Sequence, residues 1–230
     1  MSDAALRRSI VAVCRRLYAR GLISGPDGNV SARLTTGRIL VTPAGRSKTD
    51  VEEQDLVELT LDGAAVGGTG MASSEVAMHL RAYRVRPDVN AVVHAHPPSA
   101  TGFALAGESI PGDLLPEVIL QMGSVPLVPY APPGTDALPD AMAPFLPDHD
   151  AFLLANHGAT TLGATLDQAH QRMESLEHAA HILLTARLLG RVNALNAAEV
   201  AALLRRRQRA QPGHGADQVG RHNTDSRSDT

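Results

Sequence analysis

The chain has 230 residues, enough for one domain with a full hydrophobic core. Its formal net charge of −3 provides no basic surface for nucleic acid, and no continuous apolar stretch predicts a signal peptide or a membrane span. The single cysteine, Cys14, excludes an internal disulfide and favours a reducing compartment, so we expect a cytoplasmic protein.

The first half of the chain predicts two helices separated by short strands. Apolar residues at helical spacing predict a helix over residues 3–20. Strands are predicted at residues 30–34, 38–41 and 54–61, the first two joined as a hairpin by Thr36-Gly37. A glycine-rich connection then leads to a helix that begins at Ser73-Ser74-Glu75 and continues to about Arg84.

In the second half, apolar runs that end in polar residues alternate with helices. Strands are predicted at residues 90–96, within 118–128 and at 151–155. Helices are predicted at residues 99–105, 136–144, 165–189 and 196–209, the last two with capping signals at Thr165 and Asn196. Flanking helices and hairpin-connected strands predict a three-layer α/β/α sandwich with a mainly antiparallel or mixed sheet. We assign residues 1–210 to one domain and residues 211–230, which are polar and aperiodic, to a disordered tail.

Three histidines follow or end buried-strand patterns. His94 and His96 are two residues apart on one strand, so their side chains project from the same face. His157 follows the apolar run at residues 151–155. If the two strands lie near each other, the three imidazoles can bind one divalent metal and leave a fourth position open, as in a catalytic zinc site. Glu75, in the first turn of a helix, would be a further ligand or a general base.

Three short segments have the composition of an anion-binding cradle: Gly28-Asn29, Thr42 to Gly45, and Ser73-Ser74. Glycine turns expose backbone N–H groups, and serines at a helix N-terminus add hydroxyl donors. Lys48 or Arg46 would supply positive charge. Lys48 is the only lysine among 21 basic residues, so any Schiff-base chemistry would depend on it. A metal is therefore the expected electrophile for a carbonyl substrate.

Five motifs in order resemble the class II aldolase/adducin family, and in particular its fuculose-phosphate aldolases. The motifs are Gly28-Asn29-Val30-Ser31, Thr42-Pro43-Ala44-Gly45, Ser73-Ser74-Glu75, His94-Ala95-His96-Pro97 and Asn156-His157-Gly158. The resemblance implies zinc, one ion per chain with Mn²⁺ or Co²⁺ as alternatives, on His94, His96 and His157. It implies Glu75 as the acid/base, and a substrate phosphate held by Gly28, Asn29, Thr42, Gly45, Ser73 and Ser74, with Lys48 as the candidate cation. It also implies a homotetramer with active sites at subunit interfaces.

The activity implied by the resemblance is zinc-dependent aldol cleavage. A small ketose 1-phosphate, such as L-fuculose 1-phosphate, would yield dihydroxyacetone phosphate and an aldehyde through a metal-stabilised enediolate. One departure bears on this expectation: Leu115 stands where the family pattern has a tyrosine that serves as acid/base for the aldehyde, and Glu117 is the candidate to replace it. A second is Ala44, which replaces a family hydroxyl.

These departures leave alternatives open. The same metal site would serve epimerisation, dehydration or decarboxylation of a sugar or sugar-acid phosphate. A non-catalytic scaffold, as in the adducin branch, is disfavoured because it would not need three histidines and Glu75. A nucleic-acid binder using the arginines at residues 205–209 is disfavoured because no aromatic residues are interleaved with them.

Overall fold

The computed structural model describes residues 2–210 of the chain. Its α-helices are α1 (Asp3–Ala19), α2 (Val76–Val85), α3 (Pro98–Leu105), α4 (Pro116–Gln121), α5 (Ala137–Met142), α6 (Leu166–Leu188) and α7 (Ala197–Ala210). Its strands are β1 (Asn29–Arg33), β2 (Ile39–Val41), β3 (Val57–Leu59), β4 (Ala65–Gly67), β5 (Ala91–Ala95), β6 (Leu127–Val128), β7 (Ala151–Leu154) and β8 (Gly158–Gly163). Among these residues, no helix is both long and apolar enough to cross a membrane. The predicted disordered tail lies outside the described residues.

All eight strands form one sheet in the order β4-β3-β2-β1-β5-β8-β7-β6. Neighbouring strands are antiparallel except for β6 and β7, which are parallel. The centre of the sheet carries the chemistry, because His94 on β5 is paired with Asn29 on β1 and with Thr160 on β8.

Alternation along the central strands divides the core into two apolar layers. Ala91, Val93 and Ala95 pack on one face in a cluster with residues of α1, α3 and α6. Val92 packs on the opposite face in a cluster with residues of α2 and α5. Helices thus cover both faces, which confirms the predicted α/β/α sandwich with a mainly antiparallel sheet.

The structure differs from two of the predicted elements and adds two strands. The strand predicted within residues 118–128 is β6 at Leu127–Val128, whereas residues 118–121 belong to the helix α4, which begins at Pro116. Proline at the first helical position loses no hydrogen bond and favours helical φ, so it outweighs the β-branched run that follows. Strands β4 and β8 were not predicted. The predicted strand at 54–61 is a short 3₁₀ helix, Glu53–Asp55, followed by β3.

A charge cluster is buried where α7 returns to the sheet. Asp150, which is 1% exposed, forms ion pairs with Arg86 at 3.0 Å, Arg172 at 2.9 Å and Arg207 at 2.7 Å. Arg207 lies on α7, so one carboxylate connects this helix to the sheet. A carboxylate shared by three guanidinium groups offsets much of the cost of removing them from water.

Candidate metal centre

The structure brings the three predicted histidines together. His94 lies on β5, His96 follows the end of that strand, and His157 lies in the turn between β7 and β8. One nitrogen of each imidazole lies within 4.8 Å of the other two, and the Nε2 atoms of His94 and His96 are 3.1 Å apart. The expected neighbouring strands are not adjacent, because β8 lies between β5 and β7. His157 instead reaches the site through the β7–β8 turn.

The residues immediately before and after His157 allow this approach. Asn156 has a φ of 56°, a left-handed conformation that asparagine tolerates better than most residues. At Gly158, an added Cβ would lie 2.5 Å from Cδ2 of His96 and 2.6 Å from the carbonyl oxygen of Ala95. Glycine is therefore needed at this position so that the turn can pack directly against the His96 ring.

His94 is held in the tautomer that a metal ligand requires. Its Nδ1 lies 2.9 Å from the carbonyl oxygen of Ala159, which can only accept, so Nδ1 carries the proton and Nε2 presents a lone pair. Burial lowers the pKa of His94 to about 3, and the nearby charge of Glu75 only partly opposes this effect. At neutral pH the ring is therefore uncharged. A neutral imidazole fixed through its other nitrogen fits a divalent metal.

The other two imidazoles have different surroundings. Nδ1 of His96 faces the carboxylate of Asp27 at 3.7 Å. Burial and the neighbouring His157 lower the pKa of His96, and Asp27 opposes this shift. Nδ1 of His157 is buried and has no hydrogen-bond partner among the described residues. Three converging imidazoles, one of them with an unpartnered buried nitrogen, therefore fit a bound cation.

Glu75 was predicted in the first turn of a helix, but it occupies the N-cap position of α2, one residue before the helix begins. Its Oε1 is 2.9 Å from Nε2 of His157, and its Oε2 is 3.3 Å from Nε2 of His94 and 2.8 Å from Nδ2 of Asn29. Burial alone would raise the pKa of Glu75, but hydrogen bonds from His157 and Asn29 and the electrostatic interaction with the rings of His94 and His157 bring that pKa well below its usual range. Glu75 is a carboxylate directly beside the three histidines.

A cavity of about 250 Å³ opens onto this cluster. Its walls include most of the predicted phosphate-binding residues: Gly28, Asn29, Gly45, Lys48, Ser73 and Ser74. Gly28 has a φ of 70°, and an added Cβ would lie 2.8 Å from the carbonyl oxygen of His94, so this loop also depends on glycine. Such a cavity, lined by glycine turns and by serines, has the features of an anion site.

Thr42 and Lys48 have partners of their own within the fold. Thr42 does not line the cavity, since its buried hydroxyl accepts from the backbone N–H of Val30 at 3.2 Å. Lys48 lines the cavity but is only 2% exposed, and its Nζ donates to the carbonyl oxygens of Pro26 at 2.7 Å and Arg46 at 3.1 Å. Burial lowers the pKa of Lys48. Its ammonium group joins the two loops that carry Gly28 and Gly45.

Glu117 lies on the exposed surface of α4 and does not line the cavity, so its catalytic role stays a prediction. Sequence reasoning missed Asp27, which faces His96, although it immediately precedes a motif residue. It also missed His79, which lies one helical turn after Glu75 and is completely buried.

A larger cavity of about 780 Å³ lies beside α7, but the only histidine in its wall is His149.

Comparisons with known proteins agree with this geometry. The family described as Class II Aldolase and Adducin N-terminal domain matches residues 8–184. A 3-oxo-tetronate 4-phosphate decarboxylase from Escherichia coli strain CFT073 is 35% identical over 207 residues, which cover 87% of this chain and 96% of that protein. An L-fuculose phosphate aldolase from Methanocaldococcus jannaschii is 33% identical over 77% of this chain and 95% of that protein.

The fold agrees as well. The structure of an L-fuculose 1-phosphate aldolase superposes with a TM-score of 0.84 at 28% identity, covering 90% of this chain and 97% of that one. The profile match alone spans well over half of the chain, and it includes all three histidines and Glu75. This chain belongs to the class II aldolase and adducin N-terminal domain family.

Proposed function

We propose that this chain is a metal-dependent carbon–carbon lyase that decarboxylates a four-carbon 3-oxo-acid phosphate, 3-oxo-tetronate 4-phosphate. One observation carries the proposal: the three imidazoles and Glu75 meet at an anion-type cavity that no tyrosine of the same chain lines. The relatives named 3-oxo-tetronate 4-phosphate decarboxylase, matched over almost their whole length, support this substrate.

The substrate has a carboxylate one carbon away from its ketone. Loss of CO₂ breaks the bond between C1 and C2, and the electron pair is delocalised from C2 onto the ketone oxygen. A divalent metal held by His94, His96 and His157 would act as a Lewis acid that stabilises negative charge on that oxygen. Return of a proton to C2 gives dihydroxyacetone phosphate, so atoms and charge balance.

Glu75 is placed to handle the proton at C2. Its carboxylate lies against the imidazoles and at the cavity wall, and Asn29 holds one of its oxygens at 2.8 Å. It would pass a proton from solvent to the carbon that CO₂ has left. The glycine turns and the serines at the start of α2 would bind the phosphate away from the reacting carbon, which orients the substrate.

The positions of the tyrosines support decarboxylation over aldol cleavage. Aldol cleavage needs a group that takes the proton from the hydroxyl of the departing aldehyde, whereas CO₂ leaves a carboxylate without such a transfer. Tyr18 and Tyr130 are 47% and 61% exposed, and Tyr83 is buried with its hydroxyl against Ser31. None of the three lines the cavity of its own chain.

The test compares the rates of two reactions of the same protein preparation. Metal-stripped protein, reloaded with Zn²⁺, is incubated separately with carboxyl-labelled 3-oxo-tetronate 4-phosphate and with L-fuculose 1-phosphate. We expect labelled CO₂ from the first, with a kcat/KM at least about 100-fold above that for aldehyde release from the second, a difference of about 2.7 kcal/mol. Aldehyde release as the faster reaction, or no CO₂ at all, would contradict the proposal.

The second candidate is aldol cleavage of a ketose 1-phosphate. It is favoured by the L-fuculose phosphate aldolases among the relatives, and it passes through the same enediolate of dihydroxyacetone phosphate. The aldehyde arm of the same assay measures it directly. Under either activity we propose one Zn²⁺ per chain, with Mn²⁺ or Co²⁺ as alternatives for three imidazole ligands. A homotetrameric assembly and a cytoplasmic location complete the proposal.

A further inference from the structure

Behind Glu75, four polar contacts at three successive levels join β1 to α2. We propose that they form a positioning ladder, in which Ser31 and His79 hold Glu75 in register with the histidine cluster. The inference rests on the proposed role of Glu75 in proton transfer. Neither Ser31 nor His79 lines the cavity, so neither would touch the substrate.

The ladder has three successive rungs. In the first, Nδ2 of Asn29 donates to Oε2 of Glu75 at 2.8 Å. In the second, the hydroxyl of Ser31 lies 2.7 Å from Nδ1 of His79 and 2.8 Å from the hydroxyl of Tyr83. In the third, a guanidinium nitrogen of Arg33 donates to the carbonyl oxygen of Tyr83 at 3.0 Å.

The spacing of the rungs follows from the periods of the two elements. Residues 29, 31 and 33 project from one face of β1 and advance by about 6.8 Å per step of two. Residues 75, 79 and 83 lie on one face of α2 and advance by about 6.0 Å per step of four. The near match lets strand and helix run side by side for three rungs without a change of register.

The middle rung is the one that fixes the register. Ser31 and His79 are completely buried and Tyr83 is 2% exposed, so water does not replace these hydrogen bonds. Burial lowers the pKa of His79 to about 4 and raises that of Tyr83 above its usual value, so both groups stay neutral near pH 7. A shift of α2 along β1 would leave several buried polar groups unpaired, which is costly.

The consequence concerns the position of one carboxylate. Glu75 is the N-cap residue of α2, so it moves with the helix, whereas His94 is held by the sheet opposite Asn29. The ladder therefore sets the distance between Glu75 and the imidazoles. A displacement near 1 Å at a reacting group can reduce a rate by about 100-fold.

The test compares Ser31→Ala with two other variants. Ser31→Ala removes the middle rung, and we expect kcat to fall by about 10- to 100-fold with KM and Zn²⁺ affinity within about 2-fold of wild type. Tyr83→Phe keeps the ring and the Ser31–His79 contact, so its loss should be smaller. Thr161→Val is the matched control, because the buried Thr161 hydroxyl donates to the carbonyl oxygen of Ala169 at 2.7 Å and joins β8 to α6 in the opposite layer.

The control should lose thermal stability comparably but keep its kcat. An unchanged kcat in Ser31→Ala, or an equal loss in Thr161→Val, would overturn the ladder. Histidine ring ¹⁵N spectra of the metal-free protein read the register without turnover: Ser31→Ala should shift the His157 resonances that report its contact with Glu75, and Thr161→Val should not. If wild type lacks both activities but these resonance shifts appear in Ser31→Ala, the proposed function fails and the ladder stands. If the resonance shifts are absent, the ladder fails whatever the activity of the wild type.

Discussion

His94 is oriented before any ligand arrives, because the carbonyl oxygen of Ala159 holds its Nδ1 at 2.9 Å and leaves Nε2 facing the other imidazoles. The three candidate metal ligands could be predicted from the sequence. A period of two places His94 and His96 on one strand face, and His157 follows a second apolar run. The carbonyl contact could not be predicted, because it depends on the pairing of β5 with β8, and β8 carries no clear strand signal.

Substitution of Glu75 tests its proposed role as the acid/base. Glu75→Gln preserves the size of the side chain but removes the group that holds the proton at C2. We expect kcat to fall by about 10²- to 10⁴-fold, measured as CO₂ release. The same preparation should still bind Zn²⁺, as determined by elemental analysis. A variant that keeps near wild-type turnover would exclude Glu75 as the acid/base.

The β7–β8 hairpin is the element that completes the cluster. Sequence patterns predicted β7 from its continuous apolar run but missed β8, whose Gly158, Ala159, Thr160 and Thr161 look like a loop. All six residues of β8 are buried, because the strand lies in the middle of the sheet and is covered on both faces. Long-range pairing, and not local propensity, decides this element.

Gly158→Ala tests how closely the hairpin approaches the site. The new methyl group would be 2.5 Å from the His96 ring, so the ring or the turn must move. We expect Zn²⁺ affinity, measured by competition with a chelator, to fall by about 10- to 100-fold, as for other disturbances around metal ligands.

Gly102→Ala is the matched control for this substitution. Gly102 lies in α3, and nothing lies within 4 Å of its added Cβ. Its Zn²⁺ affinity should stay at the wild-type value, and its stability should rise by about 0.5–1 kcal/mol. Equal Zn²⁺ affinity in the two variants would show that the hairpin tolerates the methyl group without moving His96.

For the molecule as a whole, the Asp150 cluster predicts a large effect on stability far from the site. Asp150→Asn would leave three buried arginines without their shared carboxylate, and we expect a loss of about 3–5 kcal/mol in chemical denaturation. Asp140→Asn removes an exposed ion pair with Arg81, and its effect should stay below about 1 kcal/mol. Similar losses in both variants would mean that the buried cluster contributes no more than a surface pair.

Stability should also depend on pH through the buried histidines. Burial lowers the pKa of His94 to about 3 and that of His79 to about 4, whereas in the unfolded chain both are near 6.5. As the pH falls, the unfolded state therefore binds protons on these two side chains before the folded state does. The free energy of unfolding keeps its full value above pH 6.5 and decreases as the pH falls toward 4. The metal-free protein should lose up to about 2.7 kcal/mol per pH unit in this window. A free energy of unfolding that is constant from pH 7 to pH 5 would contradict this.

The most direct measurement is a calorimetric titration of metal-stripped protein with Zn²⁺, performed on wild type and on His96→Ala. If the three imidazoles form a metal centre, wild type binds one Zn²⁺ per chain and the variant loses this binding. Absence of Zn²⁺ binding by wild type, or undiminished binding by His96→Ala, would show that the cluster is not the metal centre on which the proposed lyase chemistry depends.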